Sequence, residues 1–137
     1  MKIIICGSIS SAEDILEIRK KLVSMGHEVE IPEGVKRIEL RERVGVSDTE
    51  HAADKIKYDL IRGYYEKMKL YDAVLVVNIE KKGIPGYIGG NTSIEMAFAH
   101  VLNKKLYCLN PLPEIAYISE LMAMQPVILD GDIDKIS

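Results

Sequence analysis

The chain has 137 residues, 47% of them hydrophobic, and a formal charge of −3. That is one domain of ordinary size, residues 1–137, with apolar residues enough for a core and no room for a second domain. Its lysines and arginines are scattered rather than striped, which argues against a nucleic acid polymer as the main partner and leaves single nucleotides open.

The first apolar run, Lys2 to Cys6, reads as a strand and is far too short for a signal h-region or a membrane span. No other apolar stretch reaches the length a bilayer requires, so a cytoplasmic protein with no membrane partner is expected. Ile15, Ile18 and Leu22 then recur at helical spacing between a cap at Ser11 and a stop at Gly26. Glu28 to Ile31 is a second strand. Glu33 to Ser47 carries many charges without a clear period and reads as a mobile loop over one end of the sheet.

From Asp48 to Leu70 the stripe Ala53, Ile56, Leu60, Tyr64 and Met68 predicts a second helix. Ala73 to Asn78 is a third strand. A third helix, Thr92 to Asn103, follows with Ile94, Ala97, Phe98 and Val101 facing inward. Lys105 to Leu109 and Pro126 to Leu129 complete five strands, with a short fourth helix over Glu114 to Ala123 between them. Cys6 and Cys108 each lie within an apolar strand run, so buried thiols in a reducing compartment are expected rather than a disulfide.

Strands alternating with helices predict an α/β three-layer sandwich: a parallel sheet covered on both faces, in the flavodoxin-like (Rossmann-like) order 2-1-3-4-5. Ligands in such a sheet bind beyond the carboxyl ends of the strands, where the order reverses. The loops there are Gly7 to Ser11, Pro32 to Val35, Ile79 to Thr92 and Asn110 to Pro113. The first and third converge, so Gly7, Ser8, Ile9 and Ser10 face the Gly89-Gly90-Asn91 turn. Glycines let backbone N–H groups come close to a ligand, and a helix N-terminus favours an anion.

Glu95, placed in the first turn of the third helix, has two readings. Thr92-Ser93-Ile94-Glu95 fits a capping box in which the carboxylate only accepts from the Thr92 N–H. Alternatively Glu95 faces the crevice as a nucleophile or base, held ionised by the helix dipole. Ser8, Ser10 and Ser11 are likewise either caps or phosphate ligands. Lys81 and Lys82 read as a solvated loop face, with steering of an anionic ligand as the lesser alternative, and Asp72 as a helix-end residue at the far edge. His27, His51 and His100 lie far apart and build no metal site; no cofactor is expected.

Three segments carry a resemblance: Ile5-Cys6-Gly7-Ser8-Ile9, Asp72-Ala73-Val74, and Ser93 to Ala99 followed by Asn103 to Leu109. With these the chain resembles the nucleoside 2-deoxyribosyltransferase family, and within it the 2'-deoxynucleoside 5'-monophosphate N-glycosidases. The resemblance implies an enzyme whose glutamate, here Glu95, attacks the anomeric carbon of a deoxyribose and forms a covalent glycosyl-enzyme as the base leaves; water or a second base then releases the sugar. It assigns Ser8, Ile9, Ser10, Gly89 and Asn91 to a 5'-phosphate. It also implies a homodimer or higher homo-oligomer in which Ser119 reaches a neighbour's site; independently, Met122 and Met124 read as exposed apolar residues able to form such a contact.

The chain departs from that family at three positions. Tyr64, on the apolar stripe, stands where a carboxylate is expected; the nearest preceding acid, Asp59, lies about 135° from the stripe's centre and reads as solvated. Ser10 stands for a basic residue and Gly89 for a serine, so a phosphate seat would rest on backbone donors. A module of the same fold that binds a nucleotide without turning it over is the alternative. A flavodoxin-like redox protein ranks third, because the first loop lacks the Ser/Thr-rich run that wraps a flavin phosphate.

Overall fold

The computed structural model describes residues 1–44 and 59–137. Among these, the strands are β1 (Lys2–Cys6), β2 (Glu28–Glu30), β3 (Ala73–Val76), β4 (Lys105–Cys108) and β5 (Val127–Ile128). The helices are α1 (Ala12–Ser24), α2 (Glu33–Val44), α3 (Leu60–Met68), α4 (Gly90–Val101) and α5 (Ile118–Ala123), with 3₁₀ turns at Ile9–Ser11 and Ile133–Lys135. All strand pairs are parallel, in the order β2-β1-β3-β4-β5. This is the α/β flavodoxin-like architecture expected from the alternation of elements. No described helix is long and apolar enough to cross a membrane.

A sheet buried on both faces explains why β1, β3 and β4 are apolar runs without alternation. Successive side chains still point to opposite faces. Ile3, Ile5, Ala73, Leu75, Tyr107 and Leu109 join one core with Ile15, Ile18 and Leu22 of α1. Ile4, Cys6, Val74, Val76, Leu106 and Cys108 join the other with Tyr64 and Met68 of α3, Met96 and Ala99 of α4, and Leu121 of α5. Each fully buried Ile or Leu contributes about 1.5–3 kcal/mol by leaving water. Both cysteines are free and buried.

Three expectations need correction. Glu33 to Ser47 is not a loop as far as it is described, since Glu33–Val44 forms α2. Val35 is fully buried and Ile38 packs beside it on the α1 core, while Arg19 pairs with Glu39. Two inward apolar residues three apart hold this helix, a signal too sparse to stand out among its charges. The second helix, where described, is Leu60–Met68; Ala53 and Ile56 lie outside the described residues.

The inward face of α4 is also rotated from expectation. Thr92, Glu95, Met96 and Ala99 are buried, whereas Ile94 and Val101 are 43% and 74% exposed. Helix orientation follows the sheet and crevice that α4 covers, and these accept a threonine and a glutamate. On α5 and its end, Met122 is exposed while Met124 packs against the core.

Candidate active site

At the carboxyl edge of the sheet lies a cavity of about 660 Å³, within the range of small-molecule sites. Its walls come from three of the four loops at that edge: Gly7, Ser8 and Ile9 after β1; Pro32, Glu33 and Gly34 after β2; and Lys81, Tyr87 and Gly89 to Thr92 after β3. Arg37 of α2 and Leu60, Ile61 and Tyr64 of α3 complete it, with Asp59 at the rim. The fourth loop, Asn110 to Pro113, borders a separate cavity of about 700 Å³.

Two turns therefore meet. In the first, Ser8 caps the 3₁₀ turn: its Oγ accepts from the Ser10 N–H at 3.2 Å and lies 2.7 Å from Ser10 Oγ. In the second, α4 starts at Gly90 and no side chain caps it. The first intrahelical bond runs from the Ser93 N–H to the Gly89 carbonyl, so the N–H groups of Gly90, Asn91 and Thr92 precede the helical ladder at the cavity wall. A Cβ on Gly90 would meet nothing within 4 Å, so the fold alone does not demand glycine there.

Asn78, which the sequence marks only as the end of a strand, ties Gly86 of the loop after β3 to the Asn110–Pro111 segment after β4. Fully buried, it donates from Nδ2 to the carbonyls of Asn110 (2.8 Å), Pro111 (3.2 Å) and Gly86 (3.3 Å), while its Oδ1 accepts from the Asn110 N–H at 3.0 Å. Gly86 has φ +65°, and a Cβ there would lie 2.3 Å from the Pro111 carbonyl oxygen. Glycine is required by both strain and space.

Glu95 lines the cavity with 8% of its surface exposed. It lies in the second turn of α4, not the first, so the helix dipole is a weaker influence than expected. No capping box forms. Burial instead pushes its carboxyl from 4.5 up to about 7, against a smaller opposing effect of a hydrogen bond from the Cys6 thiol. Desolvation, rather than the helix, is thus the largest influence on this carboxyl. Cys6 is pushed well up in turn by burial and then by Glu95.

Tyr64, in the position where the family resemblance calls for a carboxylate, is buried, and its hydroxyl donates to the Ile5 carbonyl. Asp59 caps α3, accepting from the Arg62 N–H at 3.3 Å, and pairs with the Arg62 guanidinium at 3.2 Å. Its side chain is half exposed, but Asp59 has φ +45° and precedes the helix, so the wheel that assumed a helical residue does not apply, and it lines the cavity. Ser10 stays outside the lining, and Ser119 is exposed on α5 away from it. Asp72 lies at the opposite edge, where its Oδ2 accepts from the Lys2 N–H at 2.8 Å.

Positive charge reaches the cavity from residues not assigned to it by sequence, Lys81 and Arg37. Lys81 donates to Ser8 Oγ at 3.2 Å, linking the loop after β3 to the turn after β1. Among the described residues no cluster of three His, Cys, Asp or Glu side chains could hold a metal ion. Comparison of the chain with protein-family models, with curated proteins and with solved structures returns no match.

Proposed function

We propose that this protein cleaves or transfers the N-glycosidic bond of a deoxyribonucleoside or its 5'-monophosphate, with Glu95 as nucleophile. The observation that carries this reading is a carboxylate buried in the wall of a cavity that two glycine-containing turns also line. The resemblance of the chain's segments to the deoxyribosyltransferase family supplies the chemistry.

In the first step a Glu95 oxygen bonds to the anomeric carbon and the carbon–nitrogen bond breaks. Its electron pair leaves with the base, which takes a proton from solvent at nitrogen. In the second step a water oxygen, or the nitrogen of another base, bonds to the anomeric carbon. The ester to Glu95 breaks, the carboxylate is restored and a proton is released. One difficult displacement thus becomes two easier ones.

The decisive assay incubates the protein with deoxynucleosides and their 5'-monophosphates and follows free base by chromatography. Glu95→Ala is expected to lower release by at least about 10³-fold. Because only the ionised carboxylate attacks, kcat/KM should rise with pH through about 7 and level off above it. Release that survives Glu95→Ala overturns the reading. One observation favours the alternative of a non-catalytic binding module, namely that the hydroxyl of Tyr64 is engaged by the Ile5 carbonyl. Saturable nucleotide binding without release would establish that alternative.

A further inference from the structure

We infer that Lys81 is the specificity-determining cation of this site and selects a ligand bearing a phosphate monoester. The inference rests on the proposed nucleotide reading and adds a residue that the resemblance does not assign. Its basis is a juxtaposition across 73 residues of sequence: the Lys81 ammonium donates to Ser8 Oγ at 3.2 Å, and both residues line the cavity that Gly90, Asn91 and Thr92 also line. The position left without a base at Ser10 is thus served from another loop.

The ammonium is held in place from its backbone. Lys81 and Ile84 exchange both backbone hydrogen bonds, Lys81 N–H to Ile84 carbonyl at 3.2 Å and the reverse at 3.0 Å. Between them Lys82 and Gly83 have φ of +55° and +77°, the left-handed pair of a two-residue hairpin turn. The Glu80 carboxylate accepts from the Gly83 N–H at 2.7 Å and so locks the turn. Tyr87, also in the lining, has its ring centroid 5.8 Å from the ammonium.

The charge pattern points to an anion. Lys36 and Lys67 both pair with Glu30 and Glu33, whereas among the described residues Lys81 pairs with no carboxylate. Arg37, the other cation of the lining, is already engaged within the chain. An ammonium that pairs with no described carboxylate thus shares one cavity with an uncapped helix N-terminus and a serine hydroxyl, so several donors are offered to one ligand. A tetrahedral dianion uses all of them; a free 5'-hydroxyl uses one or two.

The test compares a deoxyribonucleoside 5'-monophosphate with the matching nucleoside for the wild type, Lys81→Met and Lys81→Arg. Calorimetric titration with 2-deoxyribose 5-phosphate runs alongside as a probe that needs no turnover. Lys81→Met is expected to lower the monophosphate-to-nucleoside ratio of kcat/KM by about 10–100-fold, chiefly through KM, and the affinity for the sugar phosphate by a similar factor. Lys81→Arg should keep both within about 3-fold, because it retains the charge.

An unchanged ratio in Lys81→Met, an equal loss on both substrates, or no binding of the sugar phosphate to the wild type overturns the inference. If no substrate releases base, the glycosidic reading falls by itself, and the ratio of dissociation constants for the two ligands then decides the role of Lys81. Should Lys81→Met fail to fold, Ser8→Ala removes the ammonium's partner and is expected to lower the same ratio by a smaller factor.

Discussion

Two glutamates line one cavity and prefer opposite protonation states. Glu33, at the start of α2, is pushed up by burial, but the hydrogen bond from Lys67 and the charge of Lys36 outweigh this and hold it below the ordinary value. Glu95, on α4, is more deeply buried, forms no ion pair among the described residues and is pushed up to about 7 by burial. The difference shows how this fold distributes charge. Lys36 and Lys67 clasp Glu30 and Glu33, whereas the interior acid has a thiol beside it. A carboxylate so placed is half ionised near neutrality, desolvated and poorly paired, a state suited to a nucleophile.

The largest consequence for stability follows from Glu95. Its folded-state value lies above the unfolded one, so its contribution is fully present below about 4.5 and declines as pH rises toward 7, where the folded state finally ionises. The displacement from 4.5 to about 7 corresponds to roughly 3 kcal/mol between the two protonation states. Glu95→Gln, which cannot ionise, should therefore be more stable than the wild type at pH 8 and similar to it at pH 4. Urea unfolding at a series of pH values reads this directly. Parallel profiles for the two proteins would break the contrast between the interior and rim acids.

Tyr64 tests the wall between the two regions. Burial and then the nearby Cys6 and Glu95 push its phenol well up, so it stays a neutral donor to the Ile5 carbonyl. Tyr64→Phe keeps the ring against the core and deletes that donor, at an expected cost of about 1–2 kcal/mol. Thermal or urea unfolding measures it. A neutral effect would mean that the Ile5 carbonyl is satisfied without the phenol, and the wall would then be held by packing alone.

How much of this was legible in the sequence depends on the length scale of the signal. β1, β3 and β4 stand out because a strand buried on both faces must be apolar throughout, and α1 because Ile15, Ile18 and Leu22 sit on one face. The glycines at 89 and 90 mark a turn at the cavity for the same local reason. α2 escaped because its inward face needs only Val35 and Ile38 amid charges. The orientation of α4 escaped because hydrophobicity alone ranks Ile94 and Val101 above Thr92 and Glu95, whereas the crevice reverses that order. Lys81 is readable as part of a turn from the glycine that follows it closely. Its contact with Ser8 is not, since only the folded sheet brings residues 73 apart together.

The smallest expected effect lies at the rim. Lys67 reaches Glu33 at 2.7 Å and Glu30 at 3.2 Å; burial pulls its ammonium down, but the hydrogen bonds it donates to Glu33 and then Glu30 raise it well above the ordinary value. The Lys67 side chain is 36% exposed, so solvent screens much of its pairing with Glu30 and Glu33, and Lys67→Met should cost no more than about 1 kcal/mol at pH 7. Glu30 and Glu33 are held low by their lysines, so their contribution is present above about 4.5 and is lost as pH falls through the lowered values. The deficit of Lys67→Met should therefore shrink toward pH 3 and in high salt, the reverse of the Glu95→Gln profile. If the deficit instead grows on acidification, Glu33 is not held ionised by its lysines, and burial governs both acids of the cavity.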